Sequence, residues 1–165
     1  MDTPVKIAVI GAGLIGHRHV KHILEEPRCR LAGVIDPDPQ AKSLAEKARA
    51  AYYPDVAVFL NEADAEGVII ATPNDTHTPI GIQCATAGLH LLVEKPIDSD
   101  PAAAAKLIAA AKNAGVKVLV GHHRRFNPYI EATKRILDDG KLGTVTAVNA
   151  LWTLLKPPSY FNIAW

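Results

Sequence analysis

The chain has 165 residues, enough for one compact domain that buries about 70% of the surface its unfolded form exposes, so no disulfide or metal staple is required. Its 18 basic and 17 acidic side chains leave a net charge of +1 without any dense basic block, which excludes nucleic acid and anionic membrane surfaces as partners. Two cysteines that read as core residues (Cys29, Cys84), an N-terminus without a signal-peptide pattern and no apolar run near the ~18 residues of a membrane span predict a cytoplasmic protein.

The first element is an unbroken apolar run, Val5 to Ile10, which reads as a strand buried on both faces. Gly11-Ala12-Gly13-Leu14-Ile15-Gly16 follows, and from His17 to Glu26 apolar residues recur at helical spacing. A Gly-x-Gly-x-x-Gly sequence gains meaning at such a strand-to-helix turn. Gly11 permits the tight turn, Gly13 lets backbone approach a pyrophosphate, and Gly16 lets helix and strand pack closely. Leu14 and Ile15 complete the phosphate-binding turn, where free N–H groups and the positive end of the helix dipole attract anions. The next strand, Cys29 to Asp36, ends in an acid about twenty residues past the last glycine. A carboxylate there accepts hydrogen bonds from a ribose diol and repels a 2′-phosphate, so NAD is predicted over NADP. Arg28 and Arg30 lie at the wrong end of that strand to reverse the preference. The plainer reading of Asp36 is a cap for the following helix, with Pro37 in its first turn.

Further along, Gln40 to Arg49 is predicted as a helix, Tyr52-Tyr53 as a short strand, and Val56 to Leu60 as a short helix. Gly67 to Thr72 is a buried strand stopped by Pro73, and Pro79 opens a helix to Ala87 that Gly88 ends. Leu89 to Val93 forms the next strand. Asp98 or Ser99 caps a helix from Pro101 to Asn113, and Val116 to Val120 is the sixth strand. Strands and helices alternate throughout, which predicts an α/β fold with a doubly wound parallel sheet. Beyond Gly121 the pattern changes. Asn127-Pro128 starts a helix through Leu137, and Thr144 to Trp152 alternates like a half-solvated strand. The aromatic tail, with Tyr160, Phe161 and Trp165, has little left to cover it, so the chain is predicted to stop inside a second domain.

In open parallel sheets ligands bind outside the carboxyl ends of the strands. Besides the glycine turn and Asp36, those ends carry Thr72-Pro73-Asn74-Asp75-Thr76-His77, then Glu94-Lys95-Pro96, then Gly121 to Pro128. Read alone, Lys95 is a solvated loop lysine and Asn74 or Asp75 a helix cap.

Taken together, Gly-Ala-Gly-Leu-Ile-Gly with His19, Thr72-Pro73-Asn74 with His77, Glu94-Lys95-Pro96, and Gly121 through Arg125-Phe126-Asn127-Pro128 resemble the glucose-fructose oxidoreductase and inositol dehydrogenase (Gfo/Idh/MocA) family over the whole chain. The resemblance implies a Rossmann dinucleotide-binding domain over residues 1–122. Residues 123–165 would then be a connecting helix and the first strand of a truncated α+β substrate domain. It implies an NAD-dependent dehydrogenase that moves a hydride between nicotinamide and a CH–OH carbon of a sugar, inositol or related polyol. Lys95 would be the catalytic residue, hydrogen-bonding the reacting oxygen and stabilising the developing alkoxide. Glu94 would contact the nicotinamide-ribose side, Thr72, Asn74 and His77 would line the cofactor, and Arg125 would approach cofactor or substrate. His19 would pack under the glycine loop. The Lys95–Pro96 bond is one that can be cis.

His17, His19 and His22 suggest a metal site, but no third and fourth ligands occur at convincing spacing, and none is predicted. One family feature is missing: no Asp-x-x-x-His element, the expected source of the general base, follows Asn149. Family members are expected to be homo-oligomers at full length. A non-catalytic NAD(P)-binding sensor therefore stands as the alternative to an enzyme, separated from it by whether the gene continues past Trp165.

Overall fold

Strand β1 (Val5–Ile10) lies at the centre of a six-stranded parallel sheet. Ala8 and Val9 are fully buried and Ile10 nearly so, because helices cover both faces. The alternation of a strand then divides one short run between two cores. Ala8 and Ile10 pack with Phe59, Val68, Ile70, Val93 and Leu107, whereas Val9 packs on the other face with Val20, Ile23, Val34, Leu44 and Ile69. Each of the fully buried Val, Ile, Leu and Phe side chains is worth roughly 1.5–3 kcal/mol relative to exposure.

The computed structural model of the protein describes residues 3–158 and residue 161. After β1 come α1 (Leu14–Glu25), β2 (Cys29–Ile35), α2 (Lys42–Lys47), β3 (Ala51–Tyr53), α3 (Val56–Glu62), β4 (Gly67–Ile70), α4 (His77–Thr86), β5 (His90–Val93), α5 (Pro101–Ala114) and β6 (Val118–Val120). The strand order is β3-β2-β1-β4-β5-β6, so the chain works outward from β1 to one edge and returns to build the other half from β4. That is the Rossmann order, and its switch point lies between the carboxyl ends of β1 and β4.

Local chemistry sets the element ends. The Asp55 side chain accepts from Val58 N–H at 2.8 Å to start α3, and Asp100 accepts from Ala102 N–H at 2.9 Å to start α5, with Pro101 in the first turn. The predicted caps for α5, Asp98 and Ser99, are thus displaced by Asp100. Asp98 instead accepts the Asp100 N–H at 2.9 Å, which holds its carboxyl below the usual range. Gly115 ends α5 at φ +70°. Helix α2 is shorter than predicted, because a 3-10 turn at Pro39–Ala41, capped by Asp38, takes the first residues. Helix α4 begins two residues before Pro79, which is tolerated in a first turn where its missing N–H has no helical partner.

By its contacts the chain divides after Gly121. The second unit holds a 3-10 turn (His123–Phe126) and α6 (Pro128–Asp138), whose start is capped by Asn127 accepting from Tyr129 N–H at 2.9 Å. The Arg124 guanidinium lies 4.1 Å above the Trp152 ring centre. The strand expected over Thr144–Trp152 does not form; this stretch is irregular and Val145, Val148 and Leu151 are exposed. Alternation makes a strand only where a neighbour supplies hydrogen bonds, and among the described residues none pairs with it. Tyr160 and Trp165, noted in the aromatic tail, lie outside the described residues.

Candidate cofactor and active site

The glycine turn is built by contact. Gly11 sits at φ +96°, and a Cβ there would lie 2.6 Å from the Ala71 carbonyl oxygen at the end of β4. A Cβ on Gly16 would lie 1.8 Å from the Gly11 carbonyl, so only hydrogen fits where α1 crosses β1. Gly13 differs: nothing lies within 4 Å of where its Cβ would be, and the residue is exposed. The protein itself does not require glycine at that position, which leaves the space to a ligand.

Helix α1 starts earlier than predicted, at Leu14, with Gly13 as an N-cap that offers no side chain. Its first hydrogen bond runs from His17 N–H to the Gly13 carbonyl at 3.0 Å. The N–H groups of Leu14, Ile15 and Gly16 therefore have no partner in the helix, and no acid in the first turn offsets the dipole. Leu14 and Ile15 are exposed. The result is a place for an anion, and its donors fit a dinucleotide pyrophosphate.

Asp36 follows β2, one strand away. Its Oδ2 accepts the Ala12 N–H at 2.6 Å and its Oδ1 the Asp38 N–H at 2.8 Å. It does not cap the next helix, a role taken by Asp38. The Tyr52 hydroxyl donates to the Asp36 carbonyl at 2.9 Å, and the Asp36 N–H donates to the Tyr53 carbonyl at 3.1 Å. Both carboxylate oxygens are thus aimed by backbone while each keeps a lone pair for a diol.

After β4, the Thr72 hydroxyl accepts from the Thr76 hydroxyl at 2.7 Å, and Asn74 is exposed at the start of a 3-10 turn (Asn74–Thr76). Neither Asn74 nor Asp75 caps α4. His77 corrects the sequence expectation that it lines the cofactor. Its ring is 1% exposed, with Nδ1 2.9 Å from the Pro96 carbonyl and Nε2 2.9 Å from the Thr72 carbonyl. Both nitrogens are committed to backbone, so His77 is a strut joining two loops at the sheet's carboxyl edge.

The loop after β5 carries Glu94, Lys95 and a cis Lys95–Pro96 bond. Lys95 is exposed, and its amine has no partner among the described residues. Glu94 is held: Oε1 lies 2.9 Å from His19 Nε2 on α1, and Oε2 accepts the Lys95 N–H at 3.1 Å. Sequence reasoning placed His19 under the glycine loop but found no partner for it. Spacing offered no signal for the contact, because 75 residues separate the two. Through it, the Lys95 loop and the phosphate-turn helix meet at one end of the sheet. Arg125 lies in the second unit, exposed on its 3-10 turn. Among the described residues no group of three or more His, Cys, Asp or Glu is placed to hold a metal. Cys29 and Cys84 are free thiols, and burial pushes the Cys84 thiol up to about 12.

Comparison with known proteins agrees with this geometry. The family described as oxidoreductase family, NAD-binding Rossmann fold (GFO_IDH_MocA) matches residues 5–122. An inositol 2-dehydrogenase from Rhizobium meliloti is 33% identical over 87% of this chain and 44% of its own length. An uncharacterized oxidoreductase, YrbE, from Bacillus subtilis is 30% identical over 87% of this chain and 43% of its own length. Among solved structures, the WlbA dehydrogenase from Chromobacterium violaceum, in complex with NADH and UDP-GlcNAcA, superposes with a TM-score of 0.83 at 28% identity, covering 87% of this chain and 42% of that one. The scyllo-inositol dehydrogenase from Lactobacillus casei, with bound NAD(H) and scyllo-inositol, gives a TM-score of 0.80 at 27% identity, covering 87% and 44%. The chain spans about half the length, or somewhat less, of the curated relatives it matches. With its strand order, its glycine turn and this match over residues 5–122, the chain belongs to the Gfo/Idh/MocA oxidoreductase family and carries that family's NAD-binding Rossmann fold.

Proposed function

We propose that this chain is the cofactor-binding part of an NAD-dependent dehydrogenase acting on a CH–OH group of a sugar, an inositol or a related polyol. The observation that carries the reading is the uncapped first turn of α1, open at Gly13, on the helix that His19 ties to the Glu94-Lys95 loop. The N–H groups of Leu14, Ile15 and Gly16 hold the pyrophosphate, and Asp36 takes the adenosine ribose hydroxyls and disfavours a 2′-phosphate. Exposed Asn74 and half-buried Thr72 border the cofactor from the loop after β4. Bound NAD supplies a hydride acceptor at the nicotinamide ring.

Lys95 is the catalytic residue in this reading. Its unpartnered ammonium donates to the substrate oxygen and stabilises the negative charge that develops there as the hydroxyl proton passes to a general base, the charge that collapses into the carbonyl when hydride moves from carbon to the nicotinamide. The value of that stabilisation rises as water is excluded. Solved structures bound to scyllo-inositol and to a nucleotide sugar support a polyol or sugar substrate. Arg125 is proposed to approach cofactor or substrate. Free Cys29 and Cys84 fit a reducing, cytoplasmic setting.

Calorimetric titration of the chain with NAD and with NADP tests the cofactor half. Micromolar NAD binding with much weaker NADP binding supports it, and binding of neither overturns it. Lys95→Ala tests the catalytic half: in the full-length protein it lowers kcat by at least about 100-fold with NAD affinity retained. Unchanged kcat would remove Lys95 from the chemistry.

A further inference from the structure

We propose that His19 is a positioning residue for the second ribose of the dinucleotide. It aims the Glu94 carboxylate at the ribose that carries nicotinamide. The inference rests on the NAD-binding reading above and adds to it a residue on the phosphate-turn helix that touches no phosphate.

Glu94 is surrounded in a way that its place in a loop does not require. Its side chain and that of His19 are 18% and 19% exposed, so the pair is largely withdrawn from water. A carboxylate only accepts, so His19 Nε2 carries the proton and donates to Oε1 at 2.9 Å. Oε2 receives only the local N–H of Lys95. On another side the carboxyl packs against Gly121, where a Cβ would stand 3.0 Å from Glu94 Cδ and from both its oxygens. Glycine at the end of β6 therefore leaves the space that this carboxylate fills.

Each of these contacts removes one freedom. The Lys95 N–H fixes one oxygen from within the same loop, and Gly121 bounds the group from β6. His19 alone reaches it from α1. Without that donor, Oε1 can swing about the terminal torsion, which is broad for a glutamate. With it, one lone pair of each oxygen stays free, the same two-acceptor arrangement that Asp36 offers after β2. A pair of carboxylates fixed by backbone and by one histidine, at the ends of β2 and β5, matches a ligand with two ribose diols.

The test compares ligands that share one end. ADP contains the adenosine ribose and the pyrophosphate but lacks the second ribose; NAD contains all three. In His19→Ala, NAD affinity is expected to fall about 10-fold while ADP affinity stays within about 2-fold of the parent. His19→Gln, which keeps an N–H donor, restores most of the NAD affinity. Gly121→Ala presses on the same carboxylate from β6 and leaves the His19 side chain in place, and it weakens NAD selectively as well. In Glu94→Ala, adding His19→Ala costs nothing more, because the two act as a unit. Parallel loss of ADP and NAD affinity would show that His19 supports the turn or the fold alone, and unchanged NAD affinity would show that the contact is idle; either overturns the proposal. A parent chain that binds ADP and NAD equally well overturns the role of Glu94 while leaving the phosphate site intact. A parent that binds neither overturns the NAD reading itself.

Discussion

The Asp36 carboxylate accepts the backbone N–H of Ala12 at 2.6 Å, so the residue proposed to choose the cofactor also holds the glycine turn proposed to bind its phosphates. Removing the carboxylate releases both. Asp36→Ala is expected to weaken NAD binding by about 10- to 100-fold and to lower unfolding stability by about 1 kcal/mol. NADP binding falls less than NAD binding, since repulsion of the 2′-phosphate disappears with the charge. Titration with both cofactors alongside urea unfolding checks this; unchanged stability would mean that the Ala12 bond is replaced by water.

Gly13 and Gly16 separate binding from folding. Gly16→Ala places a methyl group 1.8 Å from the Gly11 carbonyl, and backbone must move to accept it. The expected outcome is loss of several kcal/mol of stability, read as a lowered urea midpoint. Gly13→Ala meets nothing within 4 Å, so stability changes by no more than about 1 kcal/mol while dinucleotide affinity drops about 10-fold or more. Equal destabilisation by the two substitutions would contradict the division of labour.

His77→Ala should cost about 2–5 kcal/mol. It leaves the Thr72 and Pro96 carbonyls without their buried partner and opens a cavity where a ring 1% exposed had been. Because no ring atom is left for a ligand, the loss is structural. Among variants that remain folded, NAD affinity falls only as the two loops loosen. A His77 variant with parental stability and abolished NAD binding would restore the reading that it touches cofactor.

Ionisation offers two further checks. Glu26 is held down to about 2 by hydrogen bonds from the Arg28 side chain and backbone N–H. A carboxyl depressed on folding contributes stability above its unfolded value near 4.3, and that contribution is lost as pH falls towards 2. In an NMR titration of the carboxyl carbons, Arg28→Ala moves the Glu26 midpoint back towards the ordinary carboxylate range. At Cys84 the shift runs the other way: the buried thiol, raised to about 12, holds its proton at neutral pH. It should resist alkylation in the native chain and react on unfolding, whereas half-buried Cys29 labels first.

Much of this could be read in the sequence, for physical reasons that differ from residue to residue. The run from Val5 to Ile10 and the Gly67 run announce buried strands because nothing polar interrupts them, and Gly11 and Gly16 are demanded by close approach. The doubly wound parallel sheet follows from the alternating elements, while the strand order is seen only in the structure. What was not legible depends on pairs far apart in the chain. No local pattern tells that His19 faces Glu94, that Ala12 donates to Asp36, or that both His77 nitrogens are taken. Thr144–Trp152 misled for the opposite reason: its alternation is real, but a strand is a property of two segments, not one.

The parallel sheet also bears on how the chain comes into being. As it leaves the ribosome, β1 can pair with β2 and then β2 with β3 once residue 53 has emerged, but the other side of β1 waits for β4 at Gly67–Ile70. Until then Ile7, Ala8, Val9 and Ile10 present an open apolar edge, the kind that templates pairing between chains. The second neighbour of β1 is therefore complete only some 35 residues after the first, at Ile70 against Ile35, which at 5–20 residues per second is about two to seven seconds of exposure. During that interval the nascent chain is most in need of a chaperone, and slowing translation between Tyr53 and Gly67 would lengthen it.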